Sequence, residues 1–271
     1  MIIMTFQKWH GAGNDFLVAD NREGSVTLSK EMIVHLCDRH TGFGADGVML
    51  LENSDIADFK MVFYNPDGST GMMCGNGGRC IVAFAATLGY ESFRFEAADG
   101  IHRGTVLSRE GDVFSVRITM SDVEGYAQLP TGEFFLNTGT RHLVKFVPDI
   151  SKVDVAKAGS KLRRDKRFAP EGVNVNFVSE QFGVLRVRTF EKGVEAETLA
   201  CGTGIVASAI AAYLDGVRPL ISDGEHHAFL VKTALAELTV EFTHRHLTRP
   251  WMTDVSLCGP AEFVGSCIIQ K

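Results

Sequence analysis

Two similar halves, each a β-sheet closed around a buried helix, form the α/β (α+β) architecture that this sequence predicts, and three observations predict it. Strand signals dominate the chain. Two segments, Arg79 to Leu88 and Gly204 to Leu214, are rich in small residues and apolar on nearly every side, the pattern of a helix buried all round. Both follow the motif Cys-Gly-x-Gly, at Cys74 to Gly77 and Cys201 to Gly204, 127 residues apart in a chain of 271. Such helices need sheet wrapped around them. A strand, a turn, a cysteine, a glycine pair and a helix in the same order twice read as a diverged duplication.

Taken in order, β-branched and aromatic runs predict strands at Asp15 to Ala19, Val48 to Leu51, Phe59 to Tyr64, Val113 to Thr119, Val175 to Val178 and Val184 to Phe190. Ser29 is placed to cap a helix over Lys30 to Asp38, with Met32, Ile33, Leu36 and Cys37 on one face. Val153 to Arg164 reads as a further helix, polar on most sides. The stretch Glu124 to Gly132, with glycine, proline and polar residues, reads as the seam between the halves. The domains expected are residues 1–121, with a C-terminal strand 262–271 packed on them, and residues 122–261.

Composition narrows the function classes. With 45% hydrophobic residues the chain is not disordered, and a net charge of −6, with no basic run longer than Lys161 to Arg164, argues against a duplex-binding face. Apolar stretches such as Ala209 to Leu214 fall far short of the roughly 20 residues of a membrane span. Gln7, Lys8 and His10 stand where a signal peptide needs an apolar run, so a cytoplasmic location is expected. Six cysteines in that setting read as thiols. The spacings Cys74-x5-Cys80 and Cys258-x8-Cys267 are not the tight pairs of a zinc site, and Cys37-x2-His40 lacks a second pair, so no metal is expected. Cys37, Cys80, Cys258 and Cys267 read as small packing residues.

Cys74 and Cys201 stand apart. A cysteine at a helix entrance meets unpaired N–H groups and the positive end of the macrodipole, which favour its thiolate and allow it to act as a base near neutrality. The following glycines let the N–H groups of Gly75, Asn76, Gly202 and Thr203 approach a bound anion. Two such sites facing each other would put acid/base groups on both sides of one substrate. Proton removal from one face of a tetrahedral carbon and return to the other then inverts it, with the helix ends stabilising the carbanion through its carboxylate. A cofactor is unnecessary to that scheme.

The segments Gly11 to Phe16, Asp38 to Gly47, Phe63 to Ser69, Cys74 to Cys80, Gly172 to Phe177 and Glu195 to Gly204 together resemble diaminopimelate epimerases, in order, over about residues 5 to 265. The resemblance implies a two-base epimerase without a cofactor, acting on LL-2,6-diaminopimelate to give the meso form for lysine and peptidoglycan synthesis. It also implies two pseudo-symmetric domains, each a mainly antiparallel sheet around a central helix, with the active site in the cleft between them. Carried over by position, it makes Cys74 and Cys201 the catalytic pair, and Gly75, Asn76, Gly202 and Thr203 the donors to the reacting carboxylate. Asn14, Asn65 and Asn174 match the asparagines at the far end of the substrate. Glu191 matches an acid that contacts substrate and, with His142, tunes the cysteines.

Three departures bear on specificity and assembly. Lys192 replaces the usual arginine after Glu191, a point charge in place of a bidentate fork. The family's Gly-Asn-Pro-His or Gly-Ser-Pro-His is here Gly139-Thr140-Arg141-His142, which sets a cation beside the expected site. The tyrosine associated with dimer formation in some members falls at Gly265. The expected partner is a small-molecule amino-acid substrate, with no nucleic acid and no membrane, and a homodimer is the assembly under consideration. Two competing readings stand beside diaminopimelate epimerase: a racemase of another amino acid, such as histidine, on the same cysteine pair, and a thiol-redox protein using Cys74 and Cys201 as a disulfide switch.

Overall fold

In the computed structural model, which describes residues 3–71, 73–246 and 249–270, the chain divides into two units, residues 1–118 with 259–271 and residues 119–258. Unit 1 contains β1 (Ile3–Gly11), β2 (Asn14–Asp20), α1 (Lys30–Cys37), β3 (Val48–Glu52), β4 (Phe59–Tyr64), α2 (Gly75–Thr87), β5 (Arg94–Ala97), β6 (Gly100–Glu110) and β7 (Val113–Thr119). Unit 2 contains β8 (Tyr126–Gln128), β9 (Phe134–Asn137), β10 (Arg141–Phe146), α3 (Val155–Arg163), β11 (Asn174–Gln181), β12 (Val184–Glu191), β13 (Ala196–Thr198), α4 (Gly202–Leu214), β14 (Ile221–Asp223), β15 (His226–Lys232) and β16 (Glu237–His244). The long β17 (Met252–Gln270) begins in unit 2 and ends in unit 1.

Strand pairing repeats between the units. From β1 to β7 each strand pairs with the next in the order antiparallel, parallel, antiparallel, parallel, antiparallel, antiparallel. The second half of β17 pairs with both β7 and β1 and closes the ring. Along β9, β10, β11, β12, β15, β16 and β17 the same sequence of pairings recurs. This ring closes through the chain before β8: Met120 N–H donates to Val255 O, Val123 pairs with Met252, and β8 pairs with β9. Two parallel pairs at matching places in each ring are hard to obtain except by duplication, since each needs its own crossover.

Those crossovers are helices of two kinds. α1 and α3 cover outer faces: Ile33, Leu36 and Cys37 pack with Leu17, Val48 and Leu50, while Val155 packs with Leu143, Val175, Phe177 and Phe190. α2 lies within its ring against β1, β2, β3 and β6, and α4 against β9 to β12, β15 and β16. Every residue from Gly75 to Ala85 is buried, as is every residue from Gly204 to Ala212. Small side chains let each helix sit inside sheet, and Ile81, Val82, Ile205, Val206 and Ile210 each stabilise the arrangement by roughly 1.5–3 kcal/mol.

Local signals and structure differ at a few places. Ser29 caps α1 by accepting from Met32 N–H. The two central helices begin at Gly75 and Gly202, earlier than their apolar runs suggest, because the glycines form the first turn. Glu124 to Gly132 is not the seam: β8 lies inside it, paired with β9 in unit 2, and the division falls between Ile118 and Thr119. β6 is mostly exposed and carries little apolar alternation, and the strand expected over 262–271 begins ten residues earlier, at Met252, with Gly259 and Pro260 paired to β7. No helix among the described residues is long and apolar enough to cross a membrane.

Candidate functional site

Each unit carries a cysteine at the N-cap of its central helix, and the groups around each are described separately. In unit 1, Cys74 Sγ accepts from Gly77 N–H at 3.2 Å, so the thiol occupies the position a serine or aspartate cap would take. Asn14, at the start of β2, brings its Oδ1 to 4.0 Å from Cys74 Sγ and accepts there from Asn76 Nδ2 at 3.3 Å. Its own Nδ2 donates to Asp46 at 2.6 Å, which fixes the amide, since a carboxylate only accepts. Asp46 and Asp15 share the Arg39 guanidinium, and Lys8 lies 2.9 Å from Asp15. Burial opposes ionisation of Asp15, yet hydrogen bonds and charge from Arg39 and Lys8 hold its carboxyl below the usual range.

Beneath the first turn of α2 lies Arg79, fully buried. Its guanidinium donates to Gly75 O, Asn76 Oδ1 and Pro260 O at 3.2, 2.9 and 3.1 Å, tying the motif to β17. Asn65 lies in the loop after β4, where its Nδ2 donates to Ser69 Oγ and Thr70 O. The structure therefore joins Asn14, Cys74, Gly75 and Asn76 in one hydrogen-bonded group and holds Asn65 within its own loop.

In unit 2, Cys201 Sγ lies 3.5 Å from Thr203 Oγ1. Thr203 Oγ1, Thr140 Oγ1 and His142 Nε2 form a triangle with sides of 2.9, 2.9 and 3.1 Å. His142 is fully buried, and burial, with a smaller contribution from the Lys192 charge, pushes its imidazole down to about 3, so it is neutral at ordinary pH. His142 Nδ1 faces Asn176 Nδ2 at 3.0 Å. Asn174 Nδ2 donates to Thr140 Oγ1 at 3.2 Å, and Asn174 Oδ1 accepts from Lys192 N–H at 2.8 Å. Thus His142, Asn174, Lys192, Cys201 and Thr203 are linked, with Gly202 in the first turn of α4. Glu191 ends β12, half-buried, its carbonyl accepting from Glu195 N–H.

One expectation changes. Arg141 is not a cation at the site: its guanidinium pairs with Glu171 at 2.6 Å and stacks over Phe135, because alternation along β10 sends Arg141 and His142 to opposite faces. Sequence reasoning named Thr140 only as a departure from the family pattern, and missed Asn176, Asp46 and Arg79 as members of these networks. Asn176 had a visible signal, a polar residue within the buried run Val173 to Val178. Gly204 shows why the motif needs its second glycine here, since a Cβ would come within 2.3 Å of Asn176 Oδ1.

Among solved structures, a phenazine biosynthesis protein of the PhzF family from Bacillus anthracis superposes with a TM-score of 0.71 at 14% identity, covering 100% of both chains. A hydroxyproline epimerase from Agrobacterium vitis, with bound trans-4-hydroxy-L-proline, gives 0.68 at 17% identity, covering 99% of this chain and 91% of its own. The fold is thus the two-unit fold found in epimerases and racemases. In sequence, the diaminopimelate epimerase family model matches residues 6–123 and 134–261, one segment for each half. The diaminopimelate epimerase of Flavobacterium psychrophilum is 40% identical over 268 residues, 96% of this chain and 98% of that protein, and that of Aquifex aeolicus is 43% identical over 79% and 83%. The chain belongs to the diaminopimelate epimerase family.

Proposed function

We propose that this protein interconverts LL- and meso-2,6-diaminopimelate by two-base proton transfer, with Cys74 and Cys201 as the acid/base pair. Membership of the family supports the reaction, and the single observation that most supports the assignment is that each of two topologically matched rings sets a cysteine at the N-terminus of its buried helix. In this reading one thiolate takes the Cα proton, breaking C–H and forming S–H. The carbanion is held through its carboxylate by N–H groups of Gly75, Asn76, Gly202 and Thr203, and the opposite thiol returns a proton to the other face. The substrate leaves with its composition unchanged and the two cysteines with exchanged protonation. Asn14, Asn65, Asn174, Glu191 and Lys192 bind the rest of the substrate, and the reaction takes place in the cytoplasm as a step toward lysine and peptidoglycan.

Racemisation of a different amino acid is the second reading: Arg141 is committed to Glu171, and Lys192 stands where the family usually has arginine after Glu191. One experiment separates the readings. Turnover is assayed with LL-diaminopimelate, histidine, lysine and glutamate in deuterated water, for the natural protein and for Cys74→Ala and Cys201→Ala. Diaminopimelate should be inverted with deuterium at Cα, and each variant should lose activity by at least about 10²-fold, the lower range for an acid/base group. Inversion of another amino acid with diaminopimelate inert moves the substrate, and full activity in either variant removes the two-base mechanism.

A further inference from the structure

We propose that Thr140 and Asn176 are positioning residues of unit 2: they direct a chain of hydrogen bonds that makes the Thr203 hydroxyl a donor to Cys201 Sγ, and so favour the thiolate there. This rests on the reading of Cys201 as an acid/base group. The direction of the chain is set at its inner end. Leu143 O can only accept, so the Asn176 atom 3.4 Å from it is the amide nitrogen. Asn176 Oδ1 accepts from the Thr189 hydroxyl at 2.9 Å, which agrees. The amide nitrogen therefore donates to His142 Nδ1, and the neutral imidazole carries its proton on Nε2.

From Nε2 outward the bonds have one consistent sense. Thr140 Oγ1 receives Asn174 Nδ2 and lies within reach of the Nε2 proton, so its own proton goes to Thr203 Oγ1. Thr203 Oγ1 faces these donors on one side and Cys201 Sγ on the other, and its proton turns to the sulfur. A hydroxyl donating to sulfur stabilises the charged form of the thiol. With the opposite tautomer, Nε2 would accept and compete for the Thr203 proton, and a Thr203 hydroxyl turned to the ring would lose its bond to sulfur. Along this path the titratable group is His142 on β10, on which the charge of Lys192, next after β12, also acts. Arg141 is turned to Glu171.

The test reads thiolate formation directly. In the full-length Cys74→Ala protein, where one active thiol titrates rather than a coupled pair, Cys201 alkylation by iodoacetamide is followed against pH by mass spectrometry of its peptide. Thr140→Val should raise the half-alkylation pH by about one unit, a tenfold loss of thiolate at fixed pH, and Thr140→Ser should restore it. In the Cys201→Ala protein, Thr140→Val should leave Cys74 alkylation unmoved. Nitrogen-15 spectra of histidine-labelled protein should show His142 protonated at Nε2, and Asn176→Asp should move that proton to Nδ1 while raising the Cys201 midpoint. An unchanged midpoint in Thr140→Val, or a proton on Nδ1 in the natural protein, overturns the proposal. Should Asn176→Asp not fold, Thr140→Val at an exposed position still decides. If Cys201→Ala is inactive while Thr140→Val leaves the midpoint unmoved, only this inference falls. If Cys201→Ala retains turnover, the functional reading falls with it.

Discussion

Around Cys74 the asparagines Asn14 and Asn76 are backed by ions: Asp46 with Arg39, Asp15 and Lys8 behind the first, and Arg79 behind the second. Around Cys201 the linked side chains are mostly neutral, two threonines, an asparagine pair and an uncharged histidine, with the Lys192 charge acting on that histidine. The pairing pattern is the same strand for strand, so the divergence lies in what each ring points at its helix terminus. A duplicated scaffold conserves the place of the thiol and leaves its electrostatic setting free to change. In unit 1 a helix N–H meets the sulfur, and the Arg79 charge holds Asn76 and Gly75 of the same first turn. In unit 2 oriented dipoles take that part, and oriented dipoles depend on proton positions in a way that fixed charges do not.

The largest difference should appear on cutting into the helix bases. Arg79 and Val206 occupy the same place five residues after their cysteines, both fully buried. Arg79→Met leaves Asn76 Oδ1 and Pro260 O without the guanidinium, at roughly 1–3 kcal/mol for each buried acceptor, about 4 kcal/mol together. Val206→Ala removes apolar contact alone, at about 1–3 kcal/mol. Urea midpoints should therefore fall further for Arg79→Met, and equal falls would mean that the charge in unit 1 is only packing.

A smaller effect follows from the histidines. His142, His227 and His244 are all in unit 2, and burial holds each below its usual range. A histidine whose folded value is depressed gives stability that is present above the unfolded value near 6.5 and is lost as pH falls, because the unfolded chain takes up the proton first. For His142, with a folded value of about 3, the loss between pH 7 and pH 5 is about 2 kcal/mol. Asp15 in unit 1 runs the same way in a lower window: its lowered value gives stability above about 3.8 that is lost only in stronger acid. Hydrogen exchange at pH 5 should show unit 2 losing protection before unit 1. Equal loss in both units would break the contrast.

Much of this was readable from the sequence where the determinants are local. The repeated motif located both central helices, Ser29 marked the start of α1, and β4 and β7 lie where alternation puts them. What could not be read depends on partners distant in the chain. Asn176 meets His142 across 34 residues and Arg79 meets Pro260 across 181, and no spacing rule encodes those encounters. Arg141 is a case where the rule existed: once residues 141–146 are a strand, its neighbour His142 cannot share its face.

The finest comparison concerns the motif itself, where both halves carry the same second glycine for unequal reasons. A Cβ at Gly77 would stand 3.3 Å from Cys74 Sγ and from Met49 Sδ, tight but against atoms at the ends of side chains. A Cβ at Gly204 would stand 2.3 Å from Asn176 Oδ1, and that amide is held by Thr189, Leu143 and His142. Alanine in a helix is favoured over glycine by about 1 kcal/mol, which offsets the crowding at Gly77. At Gly204 it is outweighed by overpacking of about 1–3 kcal/mol and by displacement of an amide that orients His142. Thermal unfolding should place Gly77→Ala within about 1 kcal/mol of the natural protein and Gly204→Ala below it. The same nitrogen-15 experiment should show the His142 proton undisturbed in Gly77→Ala and redistributed in Gly204→Ala. If both alanines behave alike, the glycine in each half serves helix geometry alone, and the Asn176 amide is less firmly held than its bonds imply.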